Sequence, residues 1–295
     1  MWVTSCTEGD LSMPLRSAPT ARQLRLAAEL RKLRERAGLS ATEAARLLGI
    51  KQTQISNMEA GRFGVSPERI RMLACHYDCS DTALVEALIG MTGERKRGWW
   101  EEYREILPSA LLDLAELEHH ARRLRGSICS HIPGLLQTPE HAREVFRQGV
   151  SELSPPDVEH RVSFRIKRQA ILYQDTPVPY QAIVHEAALH MRVGGRSIAR
   201  KQLQHLLDMS EHEHITVQAI PFEVGAFPGS GQSIYYAHGP VPQLDTVHLD
   251  QSHGLMFLDA EAQLQKYRTL FGRLKAVMLT PAKARDLIHG IAQNL

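Results

Sequence analysis

Apolar residues recur at helical spacing along the first ninety positions, broken at short intervals by glycine and serine. Leu26, Leu30, Leu33 and Ala37 mark one face of a helix beginning near Arg22, and Gly38 stops it. Ser40-Ala41-Thr42-Glu43 has the form of a capping box, in which hydroxyl and carboxylate satisfy amide donors at a helix start. The helix it opens turns Ala44, Leu47 and Leu48 inward and must end at Gly49. A third helix begins near Gln52, with Ile55 and Met58 inside and Gly61 as terminator. Ser66-Pro67 opens a fourth, bearing Ile70, Leu73, Ala74 and Tyr77, and a fifth from Asp81 carries Leu84, Val85, Leu88 and Ile89. The pattern predicts a compact all-α unit of five helices.

Past a polar junction at residues 90–98 the texture changes. Residues 99–126, 139–148 and 157–172 read as helices, as do a short stretch through Leu189 and residues 197–209. Residues 180–184, 215–220, 233–237 and 246–249 read as strands, the last three separated by Gly/Pro-rich turns at 225–231 and 239–242. Helices at 261–278 and 281–292 close the chain. This predicts an α+β body with a small, mostly antiparallel sheet rather than regular βαβ units. The expected division is a disordered tail at 1–19, a helical domain at 20–92, a linker at 93–98 and the α+β domain at 99–295.

Composition agrees with two domains, because single cores stop growing near about 250 residues and the chain has 295. Residues 1–97 carry 15 Lys and Arg against 11 Asp and Glu, a net of +4, while the rest carries 20 against 22, a net of −2. Any polyanion contact is therefore expected at the front. The stretch 1–19 is polar and broken by Gly9, Pro14 and Pro19, so no secretory signal and no membrane association are predicted. Four cysteines, Cys6, Cys75, Cys79 and Cys129, form no disulfide framework, and a cytoplasmic location is expected.

The segment from Leu39 to Gly61 holds the strongest chemistry. Two short helices joined by a glycine-containing turn let one helix lie in a DNA major groove while the other braces it. The outer face of the third helix reads Gln52, Thr53, Ser56 and Asn57. Amides on that face can pair with adenine edges in bidentate fashion, and hydroxyls with several partners. Lys51, Gln54 and Arg62 flank it and suit phosphates, which fix register without reading sequence.

Gly38-Leu39-Ser40, Glu43-Ala44-Ala45, Leu48-Gly49-Ile50, Ile55-Ser56 and Glu59-Ala60-Gly61 together resemble the DNA-binding domain of Xre/Cro-type transcriptional regulators. The resemblance implies a lambda-repressor-like fold, a recognition role for the third helix, and an internal ion pair between Arg34 and Glu59. The chain departs from it at Ala41, where the family often has a phosphate-touching glutamine. In the body, Gly98-Trp99-Trp100, Pro133-Gly134-Leu135-Leu136-Gln137-Thr138, Arg168-Gln169 and Glu186-Ala187-Ala188-Leu189 occur in that order, followed by Ile220-Pro221-Phe222. They resemble an uncharacterised domain that follows such helix-turn-helix units in antitoxin-like regulators of high-GC filamentous bacteria. That resemblance implies a sensory or partner-binding body.

Trp100, Tyr103, Arg104, Gln137, Arg168, Gln169 and Glu186 are the body's candidate ligand or partner contacts. The plain alternative is that Trp99 and Trp100 only pack and that Arg168 pairs with Glu186. His119-His120, His185, His190 and Glu211-His212-Glu213-His214 complete no zinc motif, so no metal, no cofactor and no catalytic residue are assigned. The sequence thus predicts a non-enzymatic, cytoplasmic, sequence-specific regulator that binds a double-stranded operator as a homodimer. Its body would sense a ligand or dock a small protein encoded by a neighbouring gene. One alternative is an antitoxin that neutralises such a protein and autoregulates its operon; another is a DNA-tethered hydrolase or transferase.

Overall fold

A computed structural model of the chain describes residues 19–92, 98–149, 152–251 and 254–295. Apart from residues 19 and 98, the expected tail and linker lie outside the described residues. The chain divides between Cys79 and Ser80 into two compact units.

The first unit contains α1 (Ala21–Arg36), α2 (Ala41–Leu47), α3 (Gln52–Glu59) and α4 (Pro67–His76). Each start has a sequence cause. Ser40 accepts from the Glu43 amide at 3.2 Å while the Glu43 carboxylate accepts from the Ser40 amide at 2.8 Å, the reciprocal box expected for α2. Ser66 caps α4, with Pro67 in its first turn. Leu26, Leu30 and Leu33 of α1 are buried, each stabilising the unit by about 1.5–3 kcal/mol. The fifth expected helix is present as α5 (Thr82–Ile89), and it groups with the second unit. Periodicity gives the apolar face of a helix and says nothing of which neighbour covers it.

The second unit is built on one six-stranded sheet. After α5 come a 3-10 turn at Trp99–Tyr103, α6 (Ser109–His120), β1 (Arg123–Ile128), a 3-10 turn at Gly134–Leu136, α7 (Pro139–Arg147) and α8 (Pro155–Gln169). Then follow β2 (Tyr180–His185), α9 (Glu186–His190), α10 (Arg196–Met209), β3 (Ile215–Ile220), β4 (Ile234–His238), β5 (Thr246–Gln251), β6 (Gly254–Leu258), α11 (Glu261–Leu274) and α12 (Pro281–Gln293). The strand order is β3-β2-β1-β4-β5-β6. β1 pairs with β2, and β2 with β3, in parallel; the β1–β4, β4–β5 and β5–β6 pairs are antiparallel.

The sheet is therefore mixed and larger than the small, mostly antiparallel one predicted. Two strands lie outside the expected four: β6, and β1, which falls within the single helix expected over residues 99–126. That stretch is a 3-10 turn, then α6 starting after Pro108, then a strand. β1 is mostly buried, and although Arg123, Arg125 and Ser127 alternate with Leu124, Gly126 and Ile128, six residues with Gly126 among them and only two large apolar side chains give a weak strand signal. Both faces of the sheet are covered. Ala182, Val184, Val217 and Ala219 point into a core shared with α10 and α12, whereas Ile183, Ile234, Tyr236 and Val247 pack with Phe271 and Leu274 of α11.

Candidate functional site

In the first unit the site is the turn between α2 and α3 together with the outer face of α3. Ala44 and Ala45 are almost fully buried, so two helices can approach closely where they cross. Gly49 adopts φ +62°, a left-handed conformation that glycine enters without strain. The Ile50 amide donates to the Ala45 carbonyl at 3.0 Å and the Gly49 amide to the Arg46 carbonyl at 3.2 Å, closing the end of α2. α3 then buries Ile55 and Met58 and turns Gln52, Thr53 and Ser56 outward, with Asn57 half-exposed beside them.

These outward residues are ordered among themselves. Gln52 Nε2 donates to Ser56 Oγ at 2.8 Å, which leaves its second N–H and its carbonyl oxygen for a base edge. Arg62 Nη1 reaches Asn57 Oδ1 at 3.4 Å. Gln54 Oε1 accepts from the Lys51 amide at 3.1 Å, so the residue assigned to phosphate also caps α3 and keeps only its NH2 for an anion. All seven predicted DNA contacts thus lie in one segment of the surface.

Beneath them, Arg34 grips Glu59 through both oxygens, Nε to Oε1 at 2.6 Å and Nη2 to Oε2 at 2.8 Å, and donates Nη1 to the Leu39 carbonyl at 2.6 Å. This is the pair the resemblance implied. It ties α1 to the end of α3, and it holds the Arg34 guanidinium above its ordinary pKa through the bonds to Glu59. Burial, with the Glu59 charge adding, pushes the Tyr77 hydroxyl up to about 12.

The second unit contains a cavity of about 550 Å³, a size typical of small-molecule sites. Its polar end is carried by α8 and the sheet. Arg161, Arg165 and Arg168 stand at i, i+4 and i+7, one stripe of that helix, and all three line the cavity. Arg168 is neutralised by a buried bidentate pair with Glu118, Nε to Oε2 at 2.7 Å and Nη2 to Oε1 at 2.5 Å. Arg165 Nη1 donates to Gln137 Oε1, its Nε has no partner, and its guanidinium lies 4.4 Å from the Phe146 ring centroid. Burial, with repulsion from Arg168, lowers its pKa to about 10.

Opposite stand Tyr235 and His248, cross-strand neighbours on β4 and β5 whose rings stack at 4.5 Å. Tyr235 bonds His131 Nε2 at 3.0 Å, and His248 Nδ1 is buried without a partner. Burial, and then the Arg168 charge, lowers the His248 pKa to about 3.

Only part of the predicted body set meets here. Gln137 and Arg168 line the cavity, and Gln169 supports it from behind by donating to the Gln137 and Gly134 carbonyls at 2.8 and 3.2 Å. Trp100 and Tyr103 pack in an aromatic cluster with Trp99 and Phe164, and Arg104 is paired to Glu101. Glu186 accepts from the Phe222 amide at 2.8 Å. The alternative pairing of Arg168 with Glu186 is thereby overturned, since Arg168 belongs to Glu118. Sequence reasoning missed Arg165, Arg161, Glu118, Tyr235 and His248. The arginine stripe on a helix already recognised was the available signal.

Among the described residues no three His, Cys, Asp or Glu side chains gather as a metal site requires, and no helix is long and apolar enough to cross a membrane. His119 and His120 instead pack against Trp100.

A capped helix, a glycine turn and a second helix with an outward polar face define a helix-turn-helix domain, the mark of DNA-binding regulators. Residues 25–88 match the family described as Helix-turn-helix domain. Residues 111–290, more than half of the chain, match Domain of unknown function (DUF5753), and the chain belongs to that family. No curated protein and no solved structure matches it.

Proposed function

We propose that this chain is a sequence-specific transcriptional regulator of the Xre/Cro type. It reads a double-stranded operator through Gln52, Thr53, Ser56 and Asn57 and holds phosphates with Lys51, Gln54 and Arg62. The observation that carries this reading is the outward, mutually ordered Gln52–Ser56 pair on α3 behind a tight glycine turn. Binding as a homodimer follows from operator symmetry, because a palindromic site needs two recognition helices about one helical turn apart. The body acts as a ligand sensor in the cytoplasm, and its cavity favours that role over docking of a small partner protein.

Electrophoretic mobility shift tests the reading face. Gln52→Ala with Asn57→Ala should erase the preference for operator over random duplex, a loss of about 1–3 kcal/mol for each bidentate contact. Binding by the unmodified chain should weaken steeply with salt as phosphate contacts stop releasing counterions. Full operator preference in the double variant, or a flat salt response, overturns the assignment.

A further inference from the structure

Resting on the reading that the body senses a small molecule, we infer that its cavity binds an amphipathic organic carboxylate, the acid head on Arg165 and the apolar portion among Leu111, Leu114, Phe146 and Leu255. The geometry of the other arginines points to that head group. Arg34, Arg104, Arg143 and Arg168 each use the Nε–Nη2 edge of the guanidinium to grip both oxygens of a glutamate. That fork matches a planar carboxylate. Arg165 spends only Nη1, on a neutral amide, and its Nε is buried with no acceptor.

Asp250 and Glu118 act on Arg165 only at longer range, and neither pairs with it. Among the described residues no carboxylate lies within ion-pair distance of it, and Glu118 is already held by both nitrogens of Arg168. Arg161, on the same stripe, adds a second positive charge to the lining. A half-buried cation whose Nε is shut from water gains most when an acceptor meets that donor. His248, 5% exposed and with an unpartnered Nδ1, supplies a further polar atom in the same lining. Asp250, Gln251 and His131 complete the polar side of the lining, and the rest of the wall, Leu111, Leu114, Phe146 and Leu255 among it, is apolar and fits a hydrocarbon or ring of modest size. A compact inorganic ion would leave that wall empty, and a neutral molecule would leave Arg165 unmet.

The test is calorimetric titration of the full chain, free of DNA, with 3-phenylpropionate and octanoate, with their primary amides, and with phenyl phosphate. The acids should bind at least tenfold tighter than the amides. Arg165→Gln should abolish that gap chiefly by weakening the acids, Arg161→Gln should narrow it a few-fold, and Leu255→Trp should weaken acid and amide alike by filling the apolar end. An acid-to-amide ratio near one in the unmodified chain overturns the proposal, as does an undiminished ratio in Arg165→Gln or a preference for phenyl phosphate. If Arg165→Gln fails to fold, the ratio in the unmodified chain and the Leu255→Trp response still decide. Because the titration contains no duplex, its failure leaves operator binding intact. A chain that binds acid but ignores duplex would overturn the regulator reading alone.

Discussion

The two units put the same side-chain chemistry to opposite uses. In the first, the charged pair Arg34–Glu59 is inside and neutral amides and hydroxyls stand outside on α3. In the second, aromatic and apolar groups wrap much of a cavity whose polar side holds three arginines with Glu118 and Asp250. An exposed neutral face suits a partner already rich in charge, because the phosphates supply affinity and the bases need only donors and acceptors. A buried cation suits a small anion that must be taken out of water. The contrast teaches that an ion pair completed within the chain is scaffold, whereas a buried arginine left incomplete is an invitation.

The largest effect that would break this contrast comes from removing the carboxylate of each completed pair. Glu59→Ala and Glu118→Ala each strand a buried guanidinium, and each should cost about 3–5 kcal/mol. Glu118→Ala should cost more. Arg34 keeps the Leu39 carbonyl at 2.6 Å, whereas Arg168 would be left near Arg165 with two like charges facing one cavity. Urea unfolding followed by circular dichroism measures both losses, and an equal or smaller loss for Glu118→Ala would contradict the view that the cavity holds uncompensated charge.

What the sequence made legible follows the range of the interactions. Every feature of α2, its turn and α3 is set by residues within a few positions of one another: the Ser40–Glu43 box, Gly49, the 52–56 spacing. Such features can be read from a string. The cavity is assembled from Leu111, Gln137, Arg165, Tyr235, His248 and Leu255, brought together by a strand order that places β4 beside β1. With β1 read as helix, nothing could place Tyr235 opposite α8. Of the candidates picked from local motifs, Gln137 and Arg168 line the cavity, whereas Trp100 packs in the aromatic cluster and Arg104 pairs with Glu101.

A smaller effect sharpens the comparison through acidity. His248 and His141 are buried, and their pKa values are lowered to about 3 and about 4, against about 6.5 in an unfolded chain. The folded state therefore refuses protons that the unfolded state accepts once pH falls below about 6.5. Stability is greatest above that value and declines between it and the folded values, by about 1.4 kcal/mol per pH unit for each histidine. His131, His205 and His238 are shifted in the same direction by burial, and His248→Phe preserves the stack on Tyr235 while removing the His248 contribution. Unfolding free energies from urea titrations at pH 7 and pH 5 should differ by about 2 kcal/mol less in that variant. An unchanged slope would mean that His248 is not held neutral beside the cavity.

The smallest effect concerns the order within the reading face. Ser56 is exposed, so Ser56→Ala should leave stability within about 0.5 kcal/mol. Operator affinity should nevertheless fall by about 0.5–1.5 kcal/mol, because Gln52 loses the hydroxyl that fixes its amide plane. A double-mutant cycle separates this from a direct contact of Ser56 with a base. If Ser56 acts by orienting Gln52, Ser56→Ala should cost almost nothing in a Gln52→Ala background. Equal costs in both backgrounds would show the two residues reading the operator independently. Affinity for random duplex should not move in either case, since phosphates do not sense the direction in which Gln52 points.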